Sequence, residues 1–208
     1  MARLNDQETR TRALSGAVFV VVVMVAIAGG AWSNAVLWAV VAGLGIREGM
    51  RAERKAWGKV ALAVLPAALA MGAWGWTAEA YDPWPVLAFV WMIWANDTGA
   101  YVVGKPFGKH KLWPRVSPGK SWEGFVGGMA AAALVAGAVF GWAWAALGAL
   151  VGALSTAGDL TESAWKRRLG LKDSGKLMPG HGGALDRFDG FLYAAPAYWA
   201  FMCIFAVA

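Results

Sequence analysis

The sequence holds a single cysteine, Cys203, among its 208 residues, and only two histidines, His110 and His181. One thiol cannot close a disulfide within the chain, and a cysteine-based zinc site needs several. Charge is also scarce: 15% of the residues are Asp, Glu, Lys or Arg against 59% hydrophobic, and the mean hydropathy is +0.48. A water-soluble domain of this size has no core large enough to hide so much apolar side chain, so composition assigns the chain to a bilayer. What is abundant is tryptophan, with 14 residues. Trp32, Trp57, Trp74, Trp76, Trp84, Trp122 and Trp142 fall near the ends of apolar runs, where an indole straddles lipid and water.

A spanning helix needs roughly 20 mostly apolar residues. Seven runs approach that length, at about 13–31, 33–46, 60–76, 84–104, 124–140, 142–158 and 190–207. The expected fold is therefore all-α, a polytopic transmembrane bundle of about seven helices. Residues 1–31 have the basic start, apolar run and small residues of a signal peptide, but the run is long for one, and a retained first helix is expected.

All 19 Lys and Arg residues fall in four segments: three at the N-terminus, five between the second and third runs, five between the fourth and fifth, and six between the sixth and seventh. The alternate connections carry none, and the one at 77–83 holds Glu79 and Asp82 instead. The positive-inside rule makes the basic side cytoplasmic, with the N-terminus inside. The same placement explains the net charge of +6. Basic loops beside a membrane attract anionic head groups of membrane lipids at about 1 kcal/mol per residue, and nucleic acid is not an expected partner.

Organisation follows from where the polar residues lie. Residues 1–95 read as N-terminal membrane helices without a recognised motif, and 96–208 as a catalytic membrane portion with cytoplasmic loops at 105–123 and 159–188. Acids embedded in apolar helices are costly and usually face a bundle interior. Asp97, in WMIWANDTGAYVVGK, stands about two helical turns before Lys105 and shares a face with Tyr101 and Gly104. Asp159 closes the sixth run, with Glu162 and Ser163 three and four residues on; Asp186 and Asp189 are spaced i, i+3 at the entrance to the seventh. Helix-start acids favoured by the macrodipole are the plainer account of such residues. For the set, a bound cation accounts better, because Asp97, Asp159 and Asp186 come to one membrane face from three helices. A site rich in oxygen and without cysteine suits Mg²⁺, which uses one or two carboxylates and completes its shell with water and phosphate.

The loops agree with phosphate chemistry. KPFGKHKLWPRVSPGKSWEG sets lysines among Ser117, Gly119 and Ser121, and KRRLGLKDSGKLMPGHGGALDR sets cations among glycines before Asp186; backbone amides with Lys or Arg make a polyanion cradle. Neither is a Walker A sequence. His110, in a run of lysines, reads as a solvated loop residue. His181, between Gly180 and Gly182, reads either as a loop-shaping hydrogen-bonder or as a phosphate contact.

The stretch SAWKRRLGLKDSGKLMPGHGGALDRFD, Ser163 to Asp189, resembles the signature of the phosphatidate cytidylyltransferase (CDP-diacylglycerol synthase) family. NDTGAYVVGKPFGKHKL, SPGKSWEG and GDLTES resemble its upstream blocks, so the likeness runs over about 96–190 in order. The resemblance implies transfer of CMP from CTP to phosphatidic acid, giving CDP-diacylglycerol and pyrophosphate at the cytoplasmic face of a bacterial inner membrane. It also implies Mg²⁺, with a second, monovalent cation such as K⁺ allowed, and a homodimer as one possible assembly. Carried onto this chain, it makes Asp97, Asp159 and Asp186 metal ligands and groups them with Asp189 and His181 as catalytic. Ser117, Lys120, Ser121, Glu123, Ser163, Lys166, Arg167, Lys172, Asp173 and Arg187 become substrate-binding. Two rivals use some of the same residues. A CTP-dependent lipid kinase of the polyprenol or phytol type would attack the γ-phosphorus with a lipid alcohol. A small transporter would use Asp97 as its coupling carboxylate, leaving the basic, glycine-rich loops without a purpose.

Overall fold

The computed structural model describes residues 2–53, 57–77, 80–175, 177 and 182–205. They form α1 (Ala2–Ala28), α2 (Ala31–Ala52), α3 (Trp57–Thr77), α4 (Trp84–Phe107), β1 (Lys111–Trp113), β2 (Ser117–Ser121), α5 (Trp122–Phe140), a 3₁₀ turn at Trp142–Trp144, α6 (Ala145–Arg168), the single turn α7 (Leu185–Phe188) and α8 (Phe191–Phe205). The fold is all-α. Three helical stretches, Trp84–Phe107, Trp122–Phe140 and Trp142–Arg168, are long and apolar enough to cross a bilayer, and shorter apolar helices cover Ala13–Ala28, Lys59–Trp74 and Phe191–Phe205. This is an integral membrane protein.

Each of the seven apolar runs corresponds to a long helix, but several helices extend beyond their runs. α6 continues ten residues past 158, to Arg168. Hydropathy stops at Asp159, while the helix is carried on by side chains four apart, Asp159 with Ser163 and Glu162 with Lys166. Lys166, Arg167 and Arg168 then meet the negative end of its dipole. α2 runs to Ala52, with Arg51 in its last turn. The segment 105–123 also departs from a plain loop. β1 and β2 pair antiparallel with Lys111 opposite Ser121 and Trp113 opposite Ser117, a three- and five-residue hairpin with an irregularity between the pairs.

The chain divides into two compact units, Met1–Pro83 with Leu169–Phe188, and Trp84–Arg168 with Asp189–Ala208. In the second, α5 buries Gly124, Gly128, Ala132 and Ala136, a stripe of small residues four apart. Lipid offers no hydrophobic drive to pair helices, so close packing over small residues does that work. A Cβ at Gly99 of α4 would stand 2.8 Å from the Gly127 carbonyl oxygen, and one at Gly128 would stand 2.7 Å from that of Asn96. On α6, a Cβ at Gly152 would meet Asn96 Oδ1 at 2.9 Å and Met129 Cα at 3.1 Å. Asn96 is thus locked where α4, α5 and α6 meet, 1% exposed. The turn after α5 needs Gly141, whose φ of +95° is one that L side chains rarely adopt. α8 packs on α4 through Phe89, which contacts the rings of Phe191 and Tyr198, while the Tyr198 hydroxyl donates to the Pro85 carbonyl at 2.8 Å.

The first unit is organised by α2, whose buried residues Asn34, Trp38, Val41, Gly45 and Glu48 recur every three or four positions. Asn34 donates to the Met71 carbonyl of α3 at 2.8 Å and accepts from Trp38 Nε1 at 2.9 Å. Further along, a Cβ at Gly49 would stand 2.5 Å from Val60. The same helix carries the segment before α8: Phe188 meets Trp38 edge-on at 5.6 Å, and a Cβ at Gly45 would stand 3.0 Å from Leu185 Cδ2.

These contacts separate glycines that matter from those that do not. Gly128→Val, pressed against the Asn96 backbone, should destabilise the protein by about 1–3 kcal/mol or more. Gly43→Ala, with no atom within 4 Å of the added Cβ, should be neutral or stabilising by up to about 1 kcal/mol. Thermal unfolding in detergent measures both.

Candidate active site

In the second unit, α4, the hairpin, α5 and α6 enclose a cavity of about 450 Å³. Its polar lining includes Asp97, Tyr101 and Lys105 of α4, Lys120 of β2, and Thr156 and Asp159 of α6. Asp97, Tyr101 and Gly104 all line it, as their shared helix face requires. Gly104 permits the approach of α5, since a Cβ there would stand 3.3 Å from Gly124 Cα. Asn96 is at the cavity wall; its Nδ2 donates to Thr156 Oγ1 over a long 3.5 Å, and its buried Oδ1 has no hydrogen-bond partner among the described residues.

Asp159 is held at both of its oxygens. Its Oδ2 pairs with Lys120 Nζ at 2.5 Å, and its Oδ1 accepts from the Ser163 hydroxyl at 3.1 Å. One turn on, Glu162 and Lys166 pair at 2.5 Å with both side chains buried. Such a pair costs heavily to desolvate, and removing one partner strands the other charge. Asp189, just before α8, is set by close packing: a Cβ at Gly158 would collide with its carbonyl oxygen, and a Cβ at Gly190 would stand 2.5 Å from Ser155 Oγ. The Gly190 N–H donates to Asp189 Oδ1 at 2.7 Å. Burial first, then the charges of Asp159, Glu162 and Asp97, push the Asp189 carboxyl well above the usual carboxylate range.

Other expected site residues have local partners. Ser121 is buried and caps α5, accepting from the Gly124 N–H at 3.1 Å. Glu123 turns to His110, accepting from its backbone N–H at 3.2 Å and contacting Nδ1 at 2.6 Å. His110 therefore ties the start of the hairpin to α5. Ser117 opens β2, half-buried. Lys105 donates to the Tyr101 hydroxyl at 2.9 Å. Arg167, Lys172 and Asp173 are exposed. His181 lies outside the described residues.

Asp186 belongs to the first unit, in a cluster with a residue that no sequence motif marks. Its Oδ2 accepts from the Gly183 N–H at 2.7 Å, the Ser174 N–H at 2.8 Å and the Ser174 hydroxyl at 2.9 Å. Glu48 of α2 accepts from the Ser174 hydroxyl at 3.0 Å, the Ala184 N–H at 2.9 Å and the Leu185 N–H at 3.0 Å. The glycines of the segment fit around these two carboxylates. A Cβ at Gly175 would stand 2.6 Å from Glu48 Oε1, one at Gly183 would collide with Glu48 Oε2, and Gly182, at φ +85°, presses on Asp186 Oδ2. Arg187, next along α7, has its Nε buried without a hydrogen-bond partner among the described residues. The signal available in sequence for Glu48 is an acid on the apolar-periodic face of α2, three residues after Gly45; its basic neighbour Arg47 disguises it as a loop residue.

Among the described residues, no three His, Cys, Asp or Glu side chains are grouped closely enough to hold a metal ion by themselves. What each cluster offers is one or two carboxylates, the share that Mg²⁺ takes from protein when water and phosphate oxygens supply the rest.

A model of the Cytidylyltransferase family matches residues 63–205. The chain is 46% identical over 113 residues to a protein named phosphatidate cytidylyltransferase from Staphylococcus aureus, covering 50% of this chain and 44% of that one. A protein of the same name from Pseudomonas aeruginosa is 46% identical over 133 residues, 57% of this chain and 49% of its own. One from Staphylococcus saprophyticus is 43% identical over 113 residues, again 50% and 44%. The chain spans about half the length of the curated relatives it matches.

The Glu162–Lys166 pair has a direct consequence. Lys166→Met should destabilise the protein, by up to about 3–5 kcal/mol, by removing the cation beside the buried Glu162. Adding Glu162→Gln should return much of the loss, a non-additivity that a double-mutant cycle on thermal stability reads.

Proposed function

We propose a phosphatidate cytidylyltransferase activity for this protein, from a plain premise: the chain belongs to the cytidylyltransferase family. The observation that carries the reading is the cavity that Asp97, Lys105, Lys120 and Asp159 line together. A phosphate oxygen of phosphatidic acid attacks the α-phosphorus of CTP; the new P–O bond forms as the bond to the β-phosphate bridge breaks, and pyrophosphate leaves. Both reactants are polyanions, so catalysis is mostly positioning and charge neutralisation, without a side-chain nucleophile.

Lys120 and Lys105 bring positive charge to the phosphates inside the cavity. The resemblance makes Arg187 of the first unit substrate-binding as well, and a guanidinium suits phosphate oxygens. Ser163 steers Asp159 by donating to one of its oxygens. Asp159 would hold Mg²⁺ in the cavity of the second unit, with Asp97 and Asp189 close to the ion or to its waters, and the family resemblance also makes Asp186 a metal ligand; bound, the ion would neutralise phosphate charge and orient the attacked phosphorus. The crowding of Asp189 by three other carboxylates supports a cation in this region. We place the active site on the cytoplasmic side, because all 19 basic residues fall on that side of the predicted topology.

Purified protein in detergent, given phosphatidate, Mg²⁺ and each nucleoside triphosphate in turn, should release pyrophosphate and form a liponucleotide with CTP. Failure with CTP would overturn the reading, and release of CDP in place of pyrophosphate would mark a lipid kinase. Asp159→Asn and Asp186→Asn should each lower turnover at least about a hundredfold while the protein keeps its elution volume on size exclusion. Near-normal turnover in both would sink the ligand assignment.

A further inference from the structure

Glu48 lies outside residues 63–205, the span matched by the family, yet it is 7% exposed and committed to the segment that bears Asp186. Its three hydrogen bonds come from Ser174, Ala184 and Leu185. Two of these donors are the backbone N–H groups at the opening of α7. Bonds from amides to an ionised carboxylate are among the stronger hydrogen bonds.

The link to Asp186 runs through one hydroxyl. Ser174 Oγ lies 3.0 Å from Glu48 Oε2 and 2.9 Å from Asp186 Oδ2, and it carries a single proton to donate. The Ser174 and Gly183 N–H groups then complete the hold on the same Asp186 oxygen. With Oδ2 held by two N–H groups and by a share of the one Ser174 proton, the direction of Oδ1 is restricted too. That direction depends on where Ser174 and the start of α7 sit, and both are tied to Glu48. The space for this tie is reserved by Gly175 and Gly183, where any side chain would press on the Glu48 carboxylate.

We propose that Glu48 is a positioning residue. It fixes the opening of α7 and, through Ser174, the carboxylate of Asp186, without touching substrate. The inference rests on the cytidylyltransferase reading only for what Asp186 is positioned to do.

The test uses the full chain in detergent, with Glu48→Gln and Ser174→Ala. Hydrogen exchange at the Ala184 and Leu185 amides should speed up about tenfold or more in Glu48→Gln, with α4 to α6 unchanged. In Ser174→Ala those two amides should stay protected, because their bonds to Glu48 remain. Turnover with CTP and phosphatidate should fall about tenfold or more in both variants, with KM for CTP within about threefold, and the double variant should lose less than the product of the two. Unchanged exchange at 184 and 185 in Glu48→Gln, or protection lost evenly across α4 to α6, would overturn the proposal, as would a wild-type kcat in either variant. Should Glu48→Gln fail to accumulate, Ser174→Ala alone decides through its kcat. If the wild-type protein forms no liponucleotide, the activity reading fails while the exchange experiment still reports whether Glu48 holds α7.

Discussion

A carboxylate carried into a membrane protein has to be met by a donor or a cation, because lipid and apolar side chains offer neither. The two units of this chain meet that demand in different ways. Around Glu48 and Asp186 the donors include backbone amides and one serine hydroxyl, which are neutral. Along α6 the partners are charged: Lys120 for Asp159 and Lys166 for Glu162. Among the described residues Asp189 has the Gly190 N–H as donor and three neighbouring acids, and burial with those acids raises its carboxyl. Neutral donors leave the negative charge of a carboxylate in place, and lysines cancel it. The first arrangement preserves an anionic centre, whereas the second builds a mixed field into which a phosphate can enter.

Close helix packing is what makes the second arrangement possible. Glycine and alanine on α5 let α4 and α6 approach until Asn96 is trapped between Gly128 and Gly152. That approach brings Asp97 and Asp159, sixty-two residues apart in sequence, to one cavity. The hairpin supplies the missing charge, with Lys120 reaching from β2, and the Glu123–His110 pair and the Ser121 cap fasten that hairpin to α5. Ser121 and Glu123, singled out in sequence for substrate, thus use their hydrogen-bonding atoms to hold the strand that presents Lys120.

Much of this was legible in the sequence. Apolar runs located all seven long helices, since hydropathy reports burial in lipid directly. Helix ends were not legible where a polar stretch stays helical, as in α6 beyond 158, because side-chain pairing and the dipole sustain the helix there. Asp97 and Asp159 stood out as acids against apolar surroundings. Glu48 did not, since only tertiary structure shows that its partners lie 126 to 137 residues away. The glycines at 175 and 183 looked like phosphate-cradling positions; the structure gives them a steric reason instead, the room they leave for the Glu48 carboxylate.

The segment between α6 and α8 shows why a long, contiguous motif is needed. Ser163 and Lys166 at its start belong to the second unit, residues 169–188 to the first, and Asp189 to the second again. The return point is fixed where Gly158 admits the Asp189 backbone, and the excursion is fixed by Glu48 at α7. Within the first unit, the bonds of Glu48 and Asp186 tie Ser174 to the opening of α7. Loop-closure entropy alone would tolerate a longer connection at little cost, so entropy does not set this spacing. Geometry does: the Ser174 hydroxyl must fall between two carboxylates, and the glycines must fall where those carboxylates need room. An insertion would leave the bonds of Glu48 to the opening of α7 able to form but would move Ser174 off Asp186, and the constraint on Oδ1 would be lost while the helices remained.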